Sequence, residues 1–219
     1  MAVLLMVKQK STVKEVIEII NNRGSLQNID LSYLDLSNID FLGIGLSKID
    51  LSHVILKSSN LSHCDLTEFY ASGVDLSSTN ISSGALAGAA IYKSKACGAN
   101  FFEANLTKSS IQESDFSNTN FTGAIMAGFG LKYATYLTKV NFKQATFVRA
   151  DLRGACFKDV NFERADLEGA DLEGAIFIGC DFNGTIFKKA NLTHCSIELT
   201  LLKNADLTDC TMPDGTIHA

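Results

Sequence analysis

The sequence predicts an all-β solenoid, a rod of about nine four-sided coils closed at its N-terminal end by an α-helix. Three observations lead there. An apolar side chain returns at every fifth residue along most of the chain, like residues recur every twenty, and a capped amphipathic stretch precedes the first repeat.

The period of five comes first. Stepping by five from Leu31 reaches Leu131, and stepping by five from Leu137 reaches Met212. Of these 37 central positions, 35 are Leu, Ile, Phe or Met, and the exceptions are Ala71 and Ala96. Neither the helical period of 3.6 nor the strand period of 2 gives such spacing. It requires a chain that turns a corner in each repeat and returns the same side chain to the inside. Two residues before the centre stands a small residue, as in Ala145, Ala150, Ala165, Ala170, Cys180 and Cys195, and Asp or Asn often lies between them, as in Asp151, Asn161 and Asp166. A narrow bore holds one large and one small group per repeat. Asp and Asn suit corners because their side chains bond nearby backbone.

The period of twenty sets the coil. Asn60, Asn80, Asn100, Asn120, Asn141 and Asn161 form a line with steps of 20, 20, 20, 21 and 20, and Phe101, Phe121, Phe142, Phe162 and Phe182 run beside it. Stacking at a strand spacing of ~4.8 Å rewards like residues above like. Four repeats therefore make one coil, and the rod is roughly 40–45 Å long. The step of 21 places one extra residue within 132–136, a bulge at one corner of a single solenoid covering 29–212.

The ends follow. In segment 1–28, Thr12 and Glu15 have capping-box spacing, Val13, Val16, Ile17 and Ile20 share a helical face, and Gly24 stands past the end. A helix over about 13–22 is expected to lie on the first coil as its lid. Residues 213–219 are read as a tail. In the early coils Ile29, Leu34, Ile39, Ile44, Ile49 and Val54 hold the inner position that is small elsewhere, which predicts a wider bore. Phe69 beside Ala71 reads as an exchange of volume within one repeat. Ala96, preceded by Ser94, lacks that compensation and predicts a distortion or void.

Runs such as Ala150-Asp151-Leu152-Arg153-Gly154 and Ala170-Asp171-Leu172-Glu173-Gly174 follow A(D/N)LXX almost literally. Over about residues 29–212 the chain resembles the pentapeptide-repeat family. That resemblance implies a right-handed quadrilateral β-helix with short bridges on four faces. The ending Cys210-Thr211-Met212-Pro213-Asp214-Gly215-Thr216-Ile217-His218 resembles the tail of cyanobacterial members. The family is functionally diverse and supplies no activity by itself. Its quinolone-resistance members resemble a DNA duplex, bind gyrase and dimerise through C-terminal structure, whereas nothing helical is expected after Met212 here.

The side chains that could carry chemistry fall into the repeat frame. Cys64, Cys180, Cys195 and Cys210 hold inward positions; Cys97 and Cys156 point outward, and no two lie twenty apart to bridge coils. In His63-Cys64 and His194-Cys195 the His points out and the Cys in, so no metal site is expected. Lys143 with Glu163, Arg153 with Glu173, and Glu168 with Lys188 are expected to stack as ion pairs. A convex rod offers no cleft, and no catalytic, cofactor or metal residue is assigned. The net charge of −5 comes with no basic stripe, which disfavours direct nucleic-acid binding. The apolar start Met1–Val7 has no leading positive region and is too short to span a bilayer, so a cytoplasmic protein without membrane contact is expected.

What remains is the surface. Between about 85 and 136 the outward positions turn apolar: Ala85, Ala87, Tyr92, Phe102, Ile125, Ala127, Tyr133 and Tyr136. They are the candidate docking surface for another protein, in a non-catalytic interaction or scaffold solenoid. A homodimer is a further partnership to be weighed. The alternative is DNA mimicry toward gyrase or another DNA-binding protein, using acidic ladders such as Asp30/Asp50 and Asp151/Asp171.

Overall fold

The computed structural model describes residues 11–132 and 135–218. It is a quadrilateral β-helix in which each repeat contributes one side. Parallel bridges join residues twenty apart along four faces. Face 1 carries Asp35, Ile55, Asp75, Lys95, Asp115 and Tyr136, and face 2 runs from Asp40 through the Asn line to Asp181. Face 3 runs from Gly45 to Asp206 in nine rungs, and face 4 from Asp50 to Thr211. The central residues, from Leu26 to Leu202, are almost all buried and form one continuous core with the small inward residues.

The corners show why polar and glycine residues surround each centre. The N–H three residues past a centre donates to the carbonyl of that centre, as Ile44 does to Phe41 at 2.8 Å and Ala124 to Phe121 at 3.0 Å. The residue two past the centre takes left-handed φ of 48–71° in repeat after repeat, the geometry of a type II turn. The Asp or Asn before the centre closes the corner from the other side. Its Oδ1 accepts the N–H two residues on, from Ser32 to Asp30 and from Thr67 to Asp65 at 3.0 Å, and from Glu163 to Asn161 at 2.8 Å.

Some corners are open. On face 4 the backbone stays paired past the centre as β1 (Tyr70–Ser72), β2 (Ala90–Tyr92), β3 (Ser110–Gln112) and β4 (Gly130–Lys132). At the open corners after β1 and β2, the N–H that would close the turn donates to a serine one coil on, Val74 to Ser94 Oγ at 3.2 Å and Ser94 to Ser114 Oγ at 3.0 Å. Beyond the extra residue the open corner moves to face 1, as β5 (Leu137–Thr138), β6 (Cys156–Lys158) and β7 (Ile176–Ile178). The registers Ser110↔Gly130 and Asp115↔Tyr136 place the insertion between Gly130 and Tyr136. Residues 133 and 134, within the stretch assigned to the bulge, lie outside the described residues.

Inside, the rings of Phe101, Phe121, Phe142, Phe162 and Phe182 form a stacked column with centroid spacings of 4.8, 5.1, 5.4 and 5.4 Å. Phe69 and Ala71 are both buried, as a volume exchange requires. The region of Ala96 is polar and satisfied: Ser94 Oγ donates to Tyr92 O at 2.8 Å, and Thr119 Oγ1 donates to Ala96 O at 3.0 Å. Phe116 stands on the next rung, its ring 6.0 Å from Phe101.

Helix α1 spans Val13–Asn21 and begins with a full capping box, the Thr12 N–H donating to Glu15 Oε2 at 2.7 Å and the Glu15 N–H to Thr12 Oγ1 at 3.3 Å. Its C-terminus is a Schellman motif in which Arg23, at φ 50°, is the left-handed residue. The Gly24 N–H donates to Ile19 O at 2.8 Å, and a Cβ on Gly24 would stand 3.0 Å from Ile19 Cγ2. The expected apolar face is corrected by one position. Val16 is fully buried and Val13, Ile19 and Ile20 pack beside it, whereas Ile17 is 37% exposed. At the far end a 3-10 turn, Leu199–Leu202, replaces one corner. The tail folds back as a tight hairpin, with Thr211 and Ile217 paired antiparallel and the His218 N–H donating to Cys210 O at 2.8 Å.

Candidate interaction surfaces

The reactive side chains are absorbed into the fold. Cys64, Cys180, Cys195 and Cys210 are buried, and burial pushes each thiol up to about 11. Cys64 and Cys195 donate to the carbonyls of Phe41 and Leu172 at 3.0 and 2.9 Å. Cys97 is half-buried, its thiol also pushed up to about 11 by desolvation and by its hydrogen bond with Asp115. Cys156 is exposed. No group of three His, Cys, Asp or Glu converges as metal ligands among the described residues.

The coil-to-coil ion pairs are part right and part wrong. Lys143 meets Glu163 at 2.7 Å, and Lys48–Glu68 and Lys93–Glu113 follow the same logic at 3.8 and 3.7 Å. Arg153 instead turns to face 4, reaching Asp151 Oδ1 at 2.9 Å and Asp171 Oδ2 at 3.6 Å, and leaves Glu173 aside. Among the described residues, Glu168 and Lys188 form no ion pair.

The Asn line is a directional ladder. Asn60 donates to Asp40 at 2.8 Å, Asn80 to Asn60 at 3.2 Å, Asn100 to Asn80 at 3.1 Å and Asn120 to Asn100 at 2.9 Å. Its first member only accepts, which suits a carboxylate. At the step of 21 the ladder breaks, and Asn141 donates to Thr122 Oγ1 at 2.9 Å.

The eight candidate docking residues do not form one patch. Ala85 and Ile125 share face 3, separated by the rung of Asn105, and Ala87 and Ala127 sit on the following corner on either side of Thr107. Phe102, 38% exposed, stands on the corner just before face 3, so these five residues occupy one side of the rod. Tyr92 belongs to face 4, where the Lys93 ammonium lies 4.7 Å from its ring centroid. Tyr136 is on face 1, opposite face 3, and is 64% exposed. Tyr133 lies outside the described residues.

A second apolar surface shares only Tyr136 with the residues singled out in the sequence. On face 1, Tyr136, Cys156 and Ile176 follow one another on successive rungs, joined by Ile178 at 51% exposure and Leu199 at 59%. Its signal in the sequence is the pair Ile176 and Ile178, which flank the centre Phe177 on outward positions.

The comparisons with known proteins agree with this architecture. A family model described as pentapeptide repeats matches in eight copies over residues 46–82, 55–91, 99–128, 134–164 and 165–204, well over half of the chain. The chain is similar to HetL, a pentapeptide repeat protein involved in heterocyst differentiation regulation from the cyanobacterium Nostoc sp. strain PCC 7120. The identity is 24% and the TM-score 0.64, over 95% of this chain and 100% of that one. QnrB1, a plasmid-mediated fluoroquinolone resistance protein, matches at 18% identity and a TM-score of 0.45 over 82% of this chain and 89% of that one. Rfr23, from the cyanobacterium Cyanothece 51142, matches at 23% identity and a TM-score of 0.28 over 54% and 80%. Neither of these two bears on more than general likeness. No curated protein matches the sequence. With its five-residue period, four-sided coils, Asx-closed corners and matched repeats in view, the chain belongs to the pentapeptide-repeat family.

Proposed function

We propose that this chain is a non-catalytic interaction rod that binds another protein through face 3 and the corner before it. The observation that carries the proposal is the exposure of Ile125 at 46% and Phe102 at 38% beside Ala85, Ala87 and Ala127 on one side of the rod. Apolar side chains presented in a group are the usual anchors of a protein interface. The solenoid is a scaffold type of fold, and its buried thiols and corner carboxylates already have structural partners. The six free cysteines suit the reducing cytoplasm, where we place the rod.

DNA mimicry finds less support. The Asp151/Asp171 pair is covered by Arg153, and between Asp50 and Asp151 face 4 presents Tyr70, Ala90, Ser110 and Gly130. A duplex mimic needs charge at regular intervals.

The test is affinity capture from the source organism with the intact chain, Phe102→Glu plus Ile125→Glu, and Ile55→Glu as a surface control. Partners held by the intact chain and the control but lost from the double variant support the proposal. Partners retained by the double variant refute it.

A further inference from the structure

At the end of the rod, away from the residues proposed above to bind a partner, the tail covers one edge of the last coil. Successive rungs of face 4 are tied together by the same two backbone bonds. The N–H of the centre donates to the next coil, as Leu172 does to Asn191 O at 2.9 Å and Leu192 to Thr211 O at 2.8 Å. The carbonyl two residues before the centre accepts from that coil, as Ala170 O does from the Asn191 N–H at 3.0 Å and Ala190 O from the Thr211 N–H at 2.9 Å. The last rung, Cys210–Met212, makes both bonds with the tail instead. The Met212 N–H donates to Thr216 O at 2.7 Å, and Cys210 O accepts the His218 N–H at 2.8 Å. Residues 216–218 thus sit where a further coil would lie, but they run antiparallel, whereas every other bridge among the described residues is parallel. The turn that reverses the chain is tied at three points. The Gly215 N–H donates to Met212 O at 2.9 Å, and Asp214 Oδ1 accepts the N–H and the Oγ1 hydrogen of Thr216 at 3.0 and 2.7 Å.

The other sides of the last coil end differently. Glu198 follows the centre Ile197 on face 1, the 3-10 turn leads into Leu202 on face 2, and Asp206 and Asp209 stand beside Leu207 on face 3. Among the described residues, the Leu207 N–H and Ala205 O, which match the two groups covered on face 4, form no backbone hydrogen bond. Charge beside an open edge opposes the addition of another strand. Cys210, Thr211 and Met212 carry no charge, and theirs is the edge that the tail covers. The floor of the bore beside it is apolar. Ile197, Leu207 and Met212 are only partly buried there, whereas Phe177, Phe187 and Leu192, one coil above them, are sealed.

We propose that residues 213–218 are a strap that keeps this end of the rod from joining a second copy of the chain. The occupant it excludes follows from what it covers. Thr211 pairs with Ile217 so that the residue after Thr211 donates and the residue before it accepts. A two-fold axis through Thr211 of two rods placed end to end gives the same pattern. The Met212 N–H of each copy then meets Cys210 O of the other, and the edge pairs with itself antiparallel. The second copy also brings its own apolar floor, which a single added strand does not. The carboxylates on the neighbouring faces keep such a contact weak, so it forms only at high concentration once the strap is gone.

Sedimentation equilibrium over a concentration series decides this, with circular dichroism confirming that each variant folds. The intact chain stays monomeric up to ~100 µM, and the chain shortened by residues 213–219 dimerises in that range, its apparent mass rising about twofold. His218→Pro in the full chain removes the N–H that Cys210 O accepts and raises the apparent mass part of the way. Thr211→Lys in the shortened chain sets like charges across the axis and returns it to monomer. An intact chain that already dimerises overturns the proposal, as does a folded, shortened chain that remains monomeric. If shortening unfolds the rod, a monomeric His218→Pro overturns it instead. A shortened-chain dimer that survives Thr211→Lys overturns the pairing through face 4.

Discussion

Replacing Phe142 with Ala tests how the rod coheres. Its ring is buried and meets three others, Phe121 at 5.1 Å, Phe147 at 4.9 Å and Phe162 at 5.4 Å. Truncating a buried Phe to Ala costs about 3–5 kcal/mol through lost transfer energy and the cavity left behind, and each aromatic contact adds roughly 0.5–1.5 kcal/mol beyond the area it buries. Because the Phe142 ring packs on three neighbours, the cost should lie near the top of that range, about 5 kcal/mol. Leu152→Ala, two repeats further along the chain and equally buried, should cost about 3 kcal/mol. Location matters as well as size. In a solenoid each coil is held by its neighbours, so weakening the packing above and below Phe142 weakens the rod in its middle. Urea unfolding followed by far-ultraviolet circular dichroism should therefore show a lower midpoint and a smaller m-value for Phe142→Ala, as the two halves begin to unfold separately. Phe142→Ala costing no more than Leu152→Ala, with an unchanged m-value, would falsify the view that the ring column ties successive coils together.

Three further outcomes follow. Val16→Asp places a charge in the seam between α1 and the first coil and should lower the melting temperature by about 10 °C, while Ile17→Asp, on the exposed side, should change it by no more than a few degrees. Gly179→Ala should cost more than Gly174→Ala. Both pay roughly 1 kcal/mol for a side chain at left-handed φ, but only at Gly179 does the new Cβ collide with Asp159 Oδ1, whereas at Gly174 the space is open; equal costs by urea titration would contradict this. Acid should destabilise the rod. Hydrogen bonds from the hydroxyls and then the backbone N–H groups of Ser37, Thr67 and Thr208 hold Asp35, Asp65 and Asp206 below the ordinary carboxylate range. Their folded values lie under the unfolded value of about 3.9, so this stability is complete above about pH 4 and is lost as pH falls through the folded values. A melting temperature that stays level from pH 5 down to pH 2 would count against it.

The repeat frame is legible in the sequence because it is written in core residues, which have little freedom in a bore this narrow. The line of Asn residues and the Phe column give four repeats per coil for the same reason: both are contacts between a coil and the next. The left-handed φ after each centre is not legible, because Lys, Glu, Arg, Ser, His and Asn take it here as well as Gly. Residue type marks that position as polar without revealing its handedness. The helix face is misjudged by one residue because Val16, Ile17 and Ile20 satisfy helical spacing equally well, and only the direction of the first coil decides which is buried. The Arg153–Glu173 pairing fails for a local reason: Asp151, two residues before Arg153, offers a carboxylate without the need to reach across a coil. The face 1 strip is hard to see in the sequence because its members stand twenty residues apart, and only their stacking on successive rungs gathers them into one surface.

The open corners carry the remaining lesson. No open corner has Asp or Asn before its centre; on face 4 the residues there are Tyr70, Ala90, Ser110 and Gly130, and on face 1 they are Tyr136, Cys156 and Ile176. The rule runs one way: an Asx before the centre marks a closed corner, but its absence does not open one. The corners after Ile55, Ala85, Lys95 and Ile125 close with the N–H three residues past the centre donating back to the centre's carbonyl. The open corner shifts by one face at the extra residue. An extended strand turns two outward side chains per rung onto a flatter face, where a closed corner presents only one before the chain bends away. Ile176 and Ile178 lie side by side for that reason. The insertion thus does more than interrupt a ladder: by moving the open corner to face 1, it sets the outward side chains of Ile176 and Ile178 on one strand of that face.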